Sequence, residues 1–220
     1  MQNQPTDLIW RDGQVPVSTR FDDPYFSLDD GLAETCHVFL GGNDLPARFV
    51  DGFHIAELGF GTGLNLLASM QAWDLPGRLF FTSFEAFPMA APDMARALDV
   101  FPDLAALAAP LIAMVEAGQT RADLGAVTVE LIIGDARDTL PKWAGRADAW
   151  FLDGFSPAKN PELWQPDLMA EVARHTAQGG TAATYTAAGF VRRGLEQAGF
   201  EVTRTPGFGR KRHMSQARLR

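Results

Sequence analysis

The 220 residues carry 46% hydrophobic and 21% charged side chains, ordinary values for a folded chain, so neither a disordered segment nor a disulfide-stapled miniprotein fits. A single cysteine, Cys36, excludes an internal disulfide and a cysteine zinc cluster and points to a reducing compartment, the cytoplasm. The formal charge of −8 argues against a uniformly basic, sequence-independent nucleic-acid binder.

The start of the chain is polar, without a charged-then-apolar signal layout, and the most apolar stretch, 104–115, is short and contains Pro110, so no membrane segment is expected. Through the first fifty residues Pro5, Pro16, Pro24 and Pro46 stand among scattered Asp and Gly. They allow no sustained period except around 32–40, and an irregular N-terminal extension over 1–52 is expected. From Phe53 the pattern becomes α/β: a strand over 54–58, a glycine turn, a helix over 64–72 and a second apolar run over 79–84. Ala and Leu at helical spacing across 87–118, interrupted by Pro92, Pro102 and Pro110, predict two or three short helices. Strands over 127–133 and 147–152 each stop on an acid and a glycine, Gly134-Asp135 and Asp153-Gly154. A loop, a helix over 167–177, a strand over 181–186 and a helix over 188–198 follow. Two closing strands, 201–204 and 212–217, flank a turn at 206–209. This alternation predicts an α/β fold with a mainly parallel, doubly wound sheet and a terminal antiparallel hairpin, a single domain over 1–220 with its core in 53–220.

The sharpest local feature is Glu57-Leu58-Gly59-Phe60-Gly61-Thr62-Gly63, between the first core strand and its helix. Glycines there let the backbone turn tightly and approach a ligand at a helix N-terminus, and Glu57, Gly59, Gly61 and Gly63 are the cofactor-binding candidates of this loop. The G-x-G-x-G spacing of Gly59, Gly61 and Gly63 differs from the dinucleotide G-x-G-x-x-G. It favours a nucleoside without a pyrophosphate, as in S-adenosylmethionine-dependent methyltransferases, although such a turn also serves as a plain connection. In an open parallel sheet, ligands sit beyond the carboxyl ends of the strands. Glu85, at the end of the second strand, is placed to accept two ribose hydroxyls, and Asp135, at the end of the third, to reach an adenine amino group; the alternative is that both are strand-end acids. At the fourth strand end, in Asp153-Gly154-Phe155-Ser156-Pro157, Asp153 is the candidate for orienting an amine and accepting its proton, with Phe155 as an aromatic wall. Such a carboxylate facing cations stays ionised. The other reading of Asp153 is a turn cap. His37, His54, His175 and His213 lack metal-ligand spacing, and no nucleophile motif is visible, so no metal is expected.

The charge is unevenly spread. Six of the nineteen Lys and Arg residues follow Thr203, in a stretch without Asp or Glu, so residues 1–203 carry −14 and the tail +6. Phe208 beside Arg210-Lys211-Arg212 suits contact with a nucleic-acid backbone or a splayed base; a hairpin turn with solvated charges explains it equally.

Ordered blocks run through nearly the whole chain. They include Phe21-Asp22-Asp23-Pro24-Tyr25-Phe26-Ser27, Asp30-Gly31-Leu32-Ala33-Glu34-Thr35, Gly59-Phe60-Gly61-Thr62-Gly63-Leu64-Asn65, Ser83-Phe84-Glu85, Asp148-Ala149-Trp150-Phe151-Leu152-Asp153-Gly154-Phe155, Pro157-Ala158-Lys159-Asn160-Pro161 and Gly207-Phe208-Gly209-Arg210-Lys211-Arg212. In these blocks the chain resembles the methyltransferase domain of the MnmC family of tRNA-modifying enzymes. The resemblance implies a class I, Rossmann-like methyltransferase fold and S-adenosylmethionine as cofactor, with S-adenosylhomocysteine as product. It implies methylation of 5-aminomethyl-2-thiouridine at the wobble position of the tRNA anticodon loop, giving 5-methylaminomethyl-2-thiouridine. By the same resemblance the N-terminal block and the loop carrying Lys159 line the substrate mouth. The flavin-dependent oxidase half of the fused enzymes is not within these residues, so no FAD is expected and a separate oxidase is a candidate partner. Ser156 departs from the Ala of the family pattern. The rival readings are an N-methyltransferase of a small molecule or protein, and a non-catalytic RNA- or cofactor-binding module.

Overall fold

The structure, a computed structural model, describes residues 8–27 and 30–220; residues 1–7 and 28–29 of the N-terminal extension, Pro5 among them, lie outside the described residues. The chain opens with a small antiparallel meander, β1 (Leu8–Arg11), β2 (Val15–Ser18) and β3 (Asp23–Pro24). The sequence pattern predicts irregular chain here, because strands of two to four residues between Asp, Gly and Pro are too short to show an alternation. Helix α1 (Gly31–Thr35) starts on Asp30, whose carboxylate accepts the Ala33 N–H, and continues as a π-helical turn through Cys36–Leu40.

The core then alternates: β4 (His54–Leu58), α2 (Leu64–Ala72), β5 (Leu79–Glu85), α3 (Ala91–Leu98), α4 (Ala105–Glu116), β6 (Arg121–Leu124), β7 (Val127–Ile133), α5 (Ala136–Thr139) and β8 (Ala147–Leu152). It closes with α6 (Pro166–Arg174), β9 (Thr176–Thr184), α7 (Gly189–Gln197), β10 (Phe200–Pro206) and β11 (His213–Leu219). The eight strands order as β10-β11-β9-β8-β4-β5-β7-β6. Pairing is parallel from β9 across to β7, and antiparallel at both edges. The chain winds outward from β4 through β5 to β7, then returns to β8 on the other side of β4. That reversal opens a crevice above the carboxyl ends of β4 and β8.

The central strands are buried on both faces, and successive side chains alternate between two apolar layers. Ile55, Phe81, Val129 and Phe151 face one layer with Leu66, Leu67 and Leu111; Ala56, Leu58, Phe84, Trp150 and Leu152 face the other with Leu168 and Val191. The segment after α1 belongs to the first layer: Val38, Phe39 and Leu40 are buried in it. Asn43 Nδ2 donates to the Phe39 and Trp150 carbonyls (2.9 and 3.2 Å), and the Thr181 hydroxyl donates to Asn43 Oδ1 (2.6 Å). The extension is thus bonded into the sheet over β8 and β9 rather than laid outside it.

Three elements differ from the expected pattern. β6 forms an edge hairpin with β7 around Gly125 (φ 65°), and with Arg121 and Asp123 among its four residues it has no apolar run to announce it. The helix expected over 167–177 ends at Arg174, and β9 begins at Thr176, because Gly179 and Gly180 lie inside the strand as a bulge instead of ahead of it. Pairing with β8 there jumps from Ala147↔Thr176 to Ala149↔Thr181. The terminal hairpin is present and longer than expected, pairing Phe200–Pro206 with His213–Leu219.

Gly63 caps the N-terminus of α2 in the left-handed region (φ 79°), and a Cβ there would sit 2.8 Å from Leu111 Cδ2 and 3.0 Å from the Phe60 ring. Gly118 is left-handed too (φ 66°), with nothing within 4 Å. Gly63→Ala is therefore expected to lose about 2 kcal/mol of stability and Gly118→Ala about 1 kcal/mol. Urea unfolding of both variants measures this; equal losses would contradict the close packing of the glycine loop on α4.

Candidate functional site

A cavity of about 800 Å³ opens at the carboxyl ends of β4, β5, β7 and β8. Gly59, Gly61, Glu85, Asp135, Asp153, Phe155, Lys159, Arg210 and Lys211 all line it. Gly63, Glu57 and Arg212 do not. Its floor depends on Gly59 (φ 88°), where a Cβ would lie 3.1 Å from Gly154 Cα and 3.4 Å from the Asp153 carbonyl oxygen. The loops after β4 and β8 therefore meet backbone to backbone.

Glu85 ties this floor together. Its Oε2 accepts the N–H groups of Phe60 and Gly61 (3.0 Å each), and its Oε1 accepts the Phe87 N–H (2.6 Å). An ionised carboxylate offers about four acceptor sites, so capacity remains for a ligand hydroxyl. Asp135 is more heavily engaged: Oδ1 accepts the Arg137 N–H (2.9 Å) at the start of α5, and the Arg137 guanidinium pairs with Oδ2 (2.6 Å). The hydrogen bonds from Arg137 hold this carboxyl below the ordinary range. The cavity is thus faced by an Asp135–Arg137 pair in place of the lone acid expected.

Asp153 sits at the centre. Its Oδ1 accepts the Gly154 N–H and its Oδ2 accepts Asn65 Nδ2, both at 2.8 Å. Burial pushes its carboxyl up to about 6, against those two hydrogen bonds and the nearby Lys211 cation, which lower it. At neutral pH it remains mostly ionised, and it gains a proton more easily than a surface acid. Asn65 Nδ2 also donates to Glu57 Oε1 (2.8 Å), and the Ser83 hydroxyl donates to Glu57 Oε2 (2.6 Å). Glu57 is fully buried, and burial raises its carboxyl well above the ordinary range. It therefore stands beneath Asn65, shielded from the cavity it was expected to face.

The mouth is built from the N-terminal segment and the terminal hairpin. Phe21 stacks on Phe155 (4.6 Å between centroids, 23° between planes), with Tyr25 edge-on to the same ring at 5.1 Å. Asp23 accepts the Ser156 N–H (2.7 Å), Asp22 accepts the Lys159 ammonium (2.6 Å), and the Arg20 guanidinium lies 4.4 Å over the Phe87 ring. From beneath, the Trp164 indole N–H donates to the Phe155 carbonyl (3.0 Å). Across the cavity, Lys211 Nζ donates to Glu34 (2.8 Å) and lies 4.1 Å over the Tyr185 ring, whose hydroxyl donates to the Gly154 carbonyl (2.7 Å). Lys211, expected as a contact for an anionic partner, is ion-paired to Glu34 at the cavity wall with its side chain still 46% exposed. Arg210 is on the rim and Arg212 lies just outside it, both exposed.

Sequence reasoning missed Thr35, Asn65, Glu34 and Tyr185. Asn65 carried a signal: an amide amid the apolar run of α2 demands buried partners. Tyr185 and Glu34 carried none, since only the fold brings them to Asp153. Among the described residues, no group of three or more His, Cys, Asp and Glu is arranged to hold a metal ion, and no helix is long and apolar enough to cross a membrane.

Over residues 103–220 the chain matches the family described as S-adenosyl-L-methionine-dependent methyltransferase. It is 46% identical over 230 residues to the tRNA 5-methylaminomethyl-2-thiouridine biosynthesis bifunctional protein MnmC of Stutzerimonas stutzeri (strain A1501), covering 98% of this chain and 35% of that protein. It is 47% identical over 226 residues to the protein of the same name from Caulobacter sp. (strain K31), covering 96% of this chain and 38% of that one. The chain thus spans little more than a third of these relatives' length. Among solved structures it superposes on MNMC2 from Aquifex aeolicus with a TM-score of 0.78 and 25% identity, covering 100% of this chain and 72% of that one. It also superposes on S-adenosylmethionine-bound CalS10, an amino pentose methyltransferase from Micromonospora echinaspora, with a TM-score of 0.51 and 14% identity, covering 86% of this chain and 91% of that one. The mixed, mainly parallel sheet with antiparallel C-terminal strands is the Rossmann-like methyltransferase fold.

A carboxyl raised on folding favours the folded state below its unfolded value and loses that contribution as pH rises through its folded value. Glu57, with an ordinary value of 4.5, is such a group. Wild-type stability should therefore fall as pH rises above about 4.5, and Glu57→Gln should flatten that slope while staying within about 1 kcal/mol of wild type at pH 7. Glu57→Ala, which strands the Asn65 and Ser83 donors, should cost about 2–3 kcal/mol. Urea midpoints taken as pH rises measure both, and a Gln variant as pH-sensitive as wild type would contradict the assignment.

Proposed function

The chain belongs to the S-adenosyl-L-methionine-dependent methyltransferase family, and on that premise we propose that it methylates 5-aminomethyl-2-thiouridine at the tRNA wobble position, giving 5-methylaminomethyl-2-thiouridine. The observation that carries this reading is the half-buried carboxylate of Asp153 at the strand-end crevice, facing the same cavity as the glycine loop and Glu85. Similarity to the MnmC proteins over nearly the whole chain supports the choice of substrate.

The residues present fit the cofactor. Gly59 and Gly61 turn the chain at the cavity with positive φ (88° and 55°), a course that presents main chain to a nucleoside, and Gly63 holds the turn that presents the α2 N-terminus. Glu85 has acceptor capacity for the ribose hydroxyls, and the Asp135–Arg137 pair offers both a donor and an acceptor to the adenine edge. Glu57 contributes from behind, through Asn65. When bound, S-adenosylmethionine supplies an electrophilic methyl carbon on a cationic sulfur and departs as S-adenosylhomocysteine.

Asp153 orients the substrate amine with its lone pair free and takes the proton released as the new carbon–nitrogen bond forms. Its elevated proton affinity suits it to receive that proton and return it to solvent near neutral pH. Lys211, held by Glu34, sets the potential at the carboxylate. Phe155, with Phe21 and Tyr25, walls the base, and Lys159, Arg210 and Arg212 face the RNA backbone at the rim. A tRNA substrate places the reaction in the cytoplasm, and we assign the supply of the aminomethyl group to a flavin-dependent oxidase acting beforehand.

Asp153→Asn is expected to lower methyl transfer to tRNA by about 100-fold or more while cofactor affinity stays within about threefold. In wild type, the rate falls as the pH drops through about 6, because a protonated Asp153 accepts nothing. The Asn variant lacks that inflection; an unchanged rate or an unchanged acid limb would remove Asp153 from this role. Replacing Arg210 and Arg212 together by Gln should raise KM for tRNA about tenfold and flatten its salt dependence, with cofactor binding unaltered. Indifference to both changes would favour a small-molecule or protein amine.

A further inference from the structure

Among the described residues, the Asn65 amide is the only side chain that bonds both Glu57 and Asp153, and its nitrogen and its oxygen are both engaged. Its two N–H groups go to Glu57 Oε1 and Asp153 Oδ2, each at 2.8 Å, and its Oδ1 accepts the Thr35 hydroxyl at 3.0 Å. Asn65 and Thr35 are each only 5% exposed, so solvent replaces none of these bonds. An amide turned the other way would aim its oxygen at the Asp153 carboxylate and withdraw the donor from it. The carboxyls select the orientation in which the N–H groups face them, and the Thr35 hydroxyl, donating to Oδ1, anchors the opposite end of the amide. Thr35 ends α1, the helix whose Glu34 pairs with Lys211 on the terminal hairpin. One helix of the N-terminal segment thus controls the reactive carboxylate from two sides.

We propose that Asn65 and Thr35 are positioning residues for the methyl transfer: Thr35 fixes the Asn65 amide, and the amide holds the Asp153 carboxylate at the cavity while tying it to the buried Glu57. The proposal rests on the reading of Asp153 as the group that receives the amine. The groups facing Asp153 are Asn65 on α2, the Gly154 N–H, Lys211 on the hairpin, Glu34 on α1, Tyr185 after β9 and, through Asn65, Glu57 on β4. Thr35, which also lines the cavity, reaches this group by the hydrogen bond from its hydroxyl to Asn65 Oδ1. Its loss therefore acts on Asp153 through Asn65: the bond from Asn65 lowers the carboxyl's proton affinity, so weakening that bond raises it further.

The test is a titration of the full chain carrying carboxyl-labelled aspartate, followed by NMR, with the Asp153 signal assigned by its absence in Asp153→Asn. Wild type should titrate near 6. Thr35→Val, or Thr35→Ala if the valine does not fit, should move that inflection up by about half a pH unit or more, and Thr35→Ser should restore it. In methyl-transfer assays the Val variant should lose about tenfold in kcat, with KM for the cofactor within about twofold. An inflection unmoved in folded Thr35→Val and Thr35→Ala would overturn the proposal, as would a kcat equal to wild type. A shifted inflection in a protein that methylates no tRNA would support the positioning role and overturn the substrate reading.

Discussion

The site depends on one close approach: the turn after β4 and the turn after β8 touch through Gly59 and Gly154, with no side chain between them. A Cβ at Gly59 would lie 3.1 Å from Gly154 Cα, and one at Gly154 would drive into Leu163 at 2.4 Å. The chain can make this contact because β4 and β8 are parallel neighbours at the point where the winding reverses. Everything with chemistry hangs from it. Asp153 immediately precedes Gly154, Asn65 is in the first turn of the helix that follows the loop, and Glu85 gathers the loop's N–H groups from the end of the adjacent strand.

Burial then decides the electrostatics. Two carboxyls share one amide in a region with little solvent, and both are raised because desolvation outweighs the hydrogen bonds that favour their charged forms. Burial raises the deeper one, Glu57, well above the ordinary carboxylate range, while Asp153 at the cavity keeps a charge at neutral pH with Lys211 nearby. Asp153 is thus the carboxylate presented at the cavity, where the proposed cofactor sulfur and substrate amine meet. Folding stability is given up for that arrangement at neutral pH, which is the usual direction for a group held ready to accept a proton.

The parts of this architecture that could be read from the chain are those where local pattern and tertiary role coincide. The strands at 54–58, 127–133 and 147–152 and the helix at 64–72 are apolar runs bounded by glycine or an acid, and they fold with those limits. Asp153 and Glu85 were legible because a strand end in a parallel sheet is a fixed place. What local pattern could not show is pairing at a distance. The bulge at Gly179 resembles a break until β8 is seen beside it, and Thr35 is an ordinary helix-end residue until Asn65 is 3.0 Å away. Lys211 belongs by sequence to a basic tail, but Glu34 holds it at the cavity wall, so the tail's charge is divided between the site and its rim.

That division also reconciles an acidic chain with the proposed RNA substrate. Two acids of the N-terminal segment are spent in bonds at the mouth, Asp22 on Lys159 and Asp23 on the Ser156 N–H, while the side chains of Arg210 and Arg212 are exposed to solvent at the rim. The most direct measurement is incubation of the protein and labelled S-adenosylmethionine with tRNA bearing aminomethyl-thiouridine, then digestion and mass analysis of the nucleosides. The account predicts the gain of one methyl group on that nucleoside alone. Label on another nucleoside, or none on tRNA while the cofactor is bound, would contradict it.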